Sequence, residues 1–202
     1  PGLTELEARE VPAIASIQLA GGVLTVRSND APTTVIVTQA STGVVVQDVT
    51  TNRTFPFAAA AVSRIVVYGG ASNDTFQSRG NVGKAVWIFG LGGNDTIYGG
   101  PAAELLVGGL GNDTIYGNGG DDTINSGPGA DNLNGGDGND VLNGGNGPDL
   151  LNGGAGIDVL RGGNGNDTLI TIDGILGDVA EPGPGNDAIW VDEINGLTDG
   201  LV

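Results

Sequence analysis

Carboxylates recur in this chain at a fixed interval. Asp95, Glu104, Asp113, Asp122, Asp131, Asp140, Asp149, Asp158 and Asp167 fall at every ninth position. Arg161 is the only Lys or Arg between 90 and 170, so almost no counter-charge accompanies them. Two chemistries use carboxylates held in pairs: the acid–base work of glycoside cleavage and the binding of a hard cation. The rest of the composition decides between them. The 202 residues include no His and no Cys, which removes the commonest general base, thiolate nucleophiles, disulfides and the usual zinc ligands. Lys84 is the sole Lys, and no Ser-x-x-Lys pattern precedes it. Regular carboxylate pairs are accounted for by metal, so no catalytic residue and no enzyme activity is expected.

Charge narrows the partners. The chain carries 24 acidic side chains against 7 basic ones, a formal net charge of −17. Such a surplus argues against nucleic acid or an anionic membrane as partner. No apolar run reaches the length of a membrane-spanning helix. No stretch reads as a signal peptide, and the start at Pro1 is expected to reflect processing or trimming. A protein partner cannot be named from the sequence.

The carboxylates belong to a repeat. Units starting at Gly90, Gly99, Gly108, Gly117, Ser126, Gly135, Gly144, Gly153 and Gly162 run in tandem without insertion. GGLGNDTIY at 108–116 and GGDGNDVLN at 135–143 show the consensus G-G-x-G-x-D-x-U-x, with U a large aliphatic. This pattern resembles the RTX, or hemolysin-type, calcium-binding nonapeptide repeat. The unit at 99–107 departs from it, with Pro101, Ala102 in place of Gly and Glu104 in place of Asp.

The U positions are Ile97, Leu106, Ile115, Ile124, Leu133, Leu142, Leu151, Leu160 and Leu169. One unit cannot bury its own aliphatic residue. Two units back to back make one coil of a solenoid, and coils then stack at roughly 4.8 Å. An 18-residue coil sorts the carboxylates into two columns. One holds Asp95, Asp113, Asp131, Asp149 and Asp167; the other holds Glu104, Asp122, Asp140 and Asp158. Stacked so closely they repel by several kcal/mol where poorly solvated. Turn carbonyls and carboxylates form an all-oxygen shell, which suits calcium better than magnesium, zinc or copper.

The resemblance implies more. The fold is expected to be all-β, a right-handed parallel β-roll. Calcium is expected between successive turns of a column, held by Asp side chains and by carbonyls of positions 1 to 4. Carried over, the ligands are Asp95, Asp113, Asp122, Asp131, Asp140, Asp149, Asp158 and Asp167. Carbonyls come from Gly109, Gly111, Gly136, Gly138, Gly145, Gly147, Gly154, Gly156, Gly163 and Gly165. Further candidates are Asp74, Glu104, Asp178 and Asp187. The number of gaps sets the expected count at roughly five to seven ions of Ca2+.

The flanks complete the organisation. Residues 1–13 read as a loose acidic segment. Residues 14–62 hold β-branched-rich runs separated by turns and are expected to form an antiparallel β cap on the open end of the roll. The roll is expected to span 63–190, with its clean tandem repeats at 90–170, and 191–202 to form a C-terminal cap or tail. The expected function is calcium binding coupled to folding, in a secreted or surface-displayed bacterial module. Alternatives are a structural or adhesive spacer, an accessory domain of a larger secreted enzyme, or an ice-binding solenoid with outward Thr and Asn rows.

Overall fold

The computed structural model describes residues 14–80, 84–194, 197–198 and 200–201. The segment 1–13 and part of the C-terminal tail lie outside the described residues. The first strands are β1 (Ile14–Ala20), β2 (Val23–Ser28), β3 (Thr34–Ala40), β4 (Gly43–Asp48) and β5 (Arg53–Ala58). They are followed by β6 (Arg64–Tyr68), β7 (Thr75–Arg79), β8 (Ala85–Gly92) and β9 (Thr96–Tyr98). The repeats contribute β10 (Leu105–Leu110), β11 (Thr114–Gly119), β12 (Thr123–Pro128), β13 (Asn132–Asp137), β14 (Val141–Asn146), β15 (Leu150–Ala155), β16 (Val159–Asn164) and β17 (Thr168–Ile170). Five short strands close the chain: β18 (Val179–Glu181), β19 (Ala188–Trp190), β20 (Glu193–Ile194), β21 (Leu197–Thr198) and β22 (Gly200–Leu201).

From β6 to β19, successive strands alternate between two sheets. One sheet runs β1-β2-β6-β8-β10-β12-β14-β16-β18-β22, the other β19-β17-β15-β13-β11-β9-β7-β3-β4-β5. The result is a parallel β-solenoid of about seven turns with antiparallel strands at its N-terminal end. Among the described residues no helix is long and apolar enough to cross a membrane.

The core follows from the nonapeptide. Leu106, Ile124, Leu142 and Leu160 stack on one sheet and Ile115, Leu133, Leu151 and Leu169 on the other, all fully buried. Two sheets close over one thin ladder of aliphatic pairs. Every other side chain in the x-U-x triplet points out, as strand alternation requires.

Strands β10 to β16 are six residues long, because they run from position 7 of one unit through position 3 of the next. Gly127 pairs with Gly145, and Gly136 with Gly154. Parallel pairing also starts before residue 63. β2 pairs parallel with β6, and β3 with β7. β1 folds back antiparallel on β2, β4 on β3, and β5 on β4. The reason lies in their patterning. Leu24 and Val26 on β2, and Val35 and Val37 on β3, present the same inward alternation as the later coils. They therefore extend the ladder instead of standing apart from it.

Candidate metal centre

Each corner of the solenoid is made by positions 4 to 6 of a unit. In most units positions 2 and 4 adopt a backbone that L side chains rarely take: φ is 119° at Gly109 and 121° at Gly111. Leu91 and Asn118 hold position 2 in their units, and both are forced to positive φ. Space is as limiting as the dihedral. A Cβ placed on Gly147 would lie 1.6 Å from the Gly129 carbonyl oxygen, and one on Gly109 2.2 Å from that of Leu91. Carbonyls at positions 2 and 4 thus point along the column toward the next coil.

The position-1 carbonyl points the other way. A Cβ on Gly117 would lie 2.4 Å from the Gly135 oxygen and 2.3 Å from Asp122 Oδ2. The same arrangement recurs at Gly90 with Asp95, Gly108 with Asp113, Gly135 with Asp140, Gly144 with Asp149, Gly153 with Asp158 and Gly162 with Asp167, at 2.1 to 2.5 Å. At all of these but Gly153, the missing side chain leaves a cradle in which a carboxylate oxygen and a backbone oxygen from the next coil face the same space. Ser126 takes position 1 in the turn of Asp131, and its hydroxyl donates to the Gly144 carbonyl at 2.6 Å.

The two oxygens of each carboxylate are used differently. Oδ1 accepts a backbone N–H from one coil earlier. Along the first column Asp74 donates to Asp95, Asp95 to Asp113, Asp113 to Asp131, Asp131 to Asp149, Asp149 to Asp167 and Asp167 to Asp187. Along the second Glu104 donates to Asp122, Asp122 to Asp140, Asp140 to Asp158 and Asp158 to Asp178. All ten bonds are 2.7 to 2.9 Å. Oδ2 of Asp95, Asp113, Asp122, Asp131, Asp140, Asp149, Asp158 and Asp167 is buried with no hydrogen-bond donor among the described residues. Such an atom is costly unless something positive meets it.

The carboxyl groups register that cost. Burial, against the opposing backbone N–H donors, pushes Asp122 up to about 8 and Asp95 and Asp149 up to about 7. Asp113, Asp140 and Asp158 rise to about 6, and Asp131 and Asp167 also lie above the ordinary carboxylate range. The same-column neighbour adds repulsion, as Asp131 does for Asp113.

The further candidates divide. The structure places Asp187 at the end of the first column and Asp178 at the end of the second. Asp74 heads the first column with both oxygens engaged: Oδ1 by the Thr33 N–H at 2.8 Å, Oδ2 by the Gly70 N–H at 3.0 Å and the Ser28 hydroxyl at 3.4 Å. Glu104 heads the second column, and its Oε2 accepts the N–H of Gly100, in its own turn, at 2.9 Å.

Sequence reasoning missed position 5. The amide oxygens of Asn73, Asn94 and Asn112 each accept the backbone N–H of position 5 one coil onward, at 2.7 to 2.9 Å. Asp121 and Asn139 do the same on the other edge. These side chains tie the turns of Asp95, Asp113, Asp131, Asp140 and Asp158 to the coil before. The recurring Asn-Asp pair at 73–74, 94–95, 112–113, 139–140 and 166–167 was the available signal.

Among the described residues no three carboxylates converge on one point. An ion held in a gap would be met by carboxylate Oδ2 atoms together with backbone carbonyl oxygens. An all-oxygen set with no nitrogen or sulfur ligand fits a hard cation of flexible coordination. The fold and its two columns define a β-roll whose inter-coil gaps are lined by carboxylate and carbonyl oxygens. The family model of the RTX calcium-binding nonapeptide repeat matches the chain in four copies, at 87–115, 98–133, 116–151 and 143–171. Residues 87–171 are an array of RTX calcium-binding nonapeptide repeats. Comparison with curated proteins found no significant match, and neither did comparison with solved structures.

Proposed function

We propose that the roll folds around calcium, with ions held in the gaps between successive turns of each column. The observation that carries this reading is the set of eight buried Oδ2 atoms without donors, aligned in two columns. Asp95, Asp113, Asp131, Asp149 and Asp167 would serve one edge, and Asp122, Asp140 and Asp158 the other. Carbonyls of the intervening glycines, Gly109 and Gly111 among them, would complete each shell. The number of gaps corresponds to roughly five to seven ions.

Binding and folding are one process on this reading. Without cations, buried carboxylates oppose stacking, and glycine-rich turns lose much conformational freedom on folding. RTX repeats are typical of secreted bacterial proteins. Calcium outside the cell saturates sites of the extracellular affinity class, whereas cytosolic calcium does not. The module then stays loose before export and sets rigidly afterwards, as a structural calcium-binding module, not a catalytic fold. Calorimetric titration with calcium, read together with circular dichroism in excess chelator, tests it. Several bound ions and a β signal that grows with calcium are expected. A count of zero or one, or an equal β signal in chelator, would overturn it.

A further inference from the structure

The N-terminal coils are built differently from the repeat coils. The first, β2 with β3, buries Leu24, Val26, Val35 and Val37. The second, β6 with β7, buries Ile65, Val67 and Phe76, and the third, β8 with β9, buries Val86, Ile88 and Ile97. Each coil from β10 to β17 buries only two such residues, for example Leu142 with Leu151. The antiparallel strands add Ile14, Val44 and Val46 to the N-terminal end.

The extra residues stand on one edge. Leu24, Ile65 and Val86 are level with one another across β2, β6 and β8. Trp87 pairs with Leu105, so Val86 lies level with Glu104. Apolar side chains therefore hold, in the first three coils, the place that carboxylates hold from Glu104 onward. No ion is needed between them. On the other edge Asp74 is closed by Thr33, Gly70 and Ser28.

The outer face of this region is tied by charge and rings. The Arg27 guanidinium lies 4.1 Å over Tyr68, Tyr68 stacks on Phe89 with centroids 5.1 Å apart, and Arg64 lies 4.1 Å over Trp87. These contacts bridge β2, β6 and β8 without a metal.

We infer that β1 to β8 form a calcium-independent template, and that the calcium-dependent coils assemble onto its free edge. β8 presents unpaired backbone groups on the side that β10 occupies, and a solenoid grows from whichever coil is already ordered. Calcium would then regulate the length of the ordered roll rather than the presence of any fold. This inference rests on the calcium-coupled folding proposed above.

Hydrogen exchange of the full chain, in excess chelator and in millimolar calcium, separates the possibilities. Amides of β2, β3, β6 and β7 are expected to stay protected in chelator, and those of β12 to β16 to exchange at least about 100-fold faster there. Loss of protection in both regions on chelation would overturn the template and leave calcium-coupled folding standing. Full protection of both in chelator would overturn the coupling and the template with it. A second reading uses Trp190→Phe, which leaves Trp87 as the only Trp. Chelation removes its β10 neighbour Leu105 but not its contact with Arg64, so its emission maximum is expected to stay well short of that of solvated Trp. A shift to that of solvated Trp would overturn the inference.

Discussion

The backbone N–H of Asp131 donates to Asp149 Oδ1 at 2.9 Å across one full coil, while Asp149 Oδ2 is buried and receives no donor. One oxygen of each column carboxylate thus serves the stack, and the other faces the gap.

Asp149→Asn should act in opposite directions with and without calcium. In calcium it removes a charged ligand and should cost about 1–3 kcal/mol and one bound ion. In chelator the amide keeps the Oδ1 acceptor and places a donor beside the Gly162 carbonyl, so the roll should gain stability. Thermal melts in the two conditions, with calorimetric ion counts, check both signs.

Two glycine substitutions should differ sharply. Gly147→Ala forces a Cβ to 1.6 Å from the Gly129 oxygen at a φ of 123°, so the coils must part locally. Gly21→Ala meets nothing within 4 Å at a φ of 56° and should cost only about 1 kcal/mol. The calcium midpoint followed by circular dichroism should rise several-fold for the first and barely move for the second.

The metal-free chain should gain β structure as pH falls. Burial pushes Asp122 up to about 8, Asp95 and Asp149 to about 7, and Asp113, Asp140 and Asp158 to about 6. A carboxyl group raised on folding favours the folded state while protonated. That contribution is complete below about pH 4 and is lost as pH rises through 6 to 8. Far-ultraviolet dichroism of calcium-free protein should show more β signal at pH 4.5 than at pH 8 (about these values).

The thin core should be intolerant of truncation. Leu142 is fully buried between Ile124 and Leu160. Leu142→Ala should cost about 2–5 kcal/mol even in saturating calcium. Arg161→Ala breaks an exposed ion pair to Glu181 and should stay within about 1 kcal/mol. Chemical denaturation in calcium compares them directly.

The repeat array and its chemistry were legible in the sequence. A nine-residue period with Ile or Leu at position 8 leaves a paired coil as the way to bury them. An 18-residue coil aligns Asp113 with Asp131 and Asp122 with Asp140 before any coordinate is known. The absence of His and Cys restricts the ligands to oxygen. These conclusions depend on spacing and residue type, which a linear chain carries in full.

Other properties were decided only in three dimensions. Whether β2 and β3 join the roll depends on which neighbour their edges pair with, and antiparallel and parallel partners suit the same alternation. Glu104 and Asp122 hold the same repeat position, yet one accepts a hydrogen bond from Gly100 in its own turn and the other leaves Oδ2 bare. Asn112 and Asp113 are adjacent, but one secures the following coil and the other the preceding one. Orientation of a single N–H or carboxylate oxygen makes these differences. Orientation is set by the stacked backbone on either side, which no single unit contains.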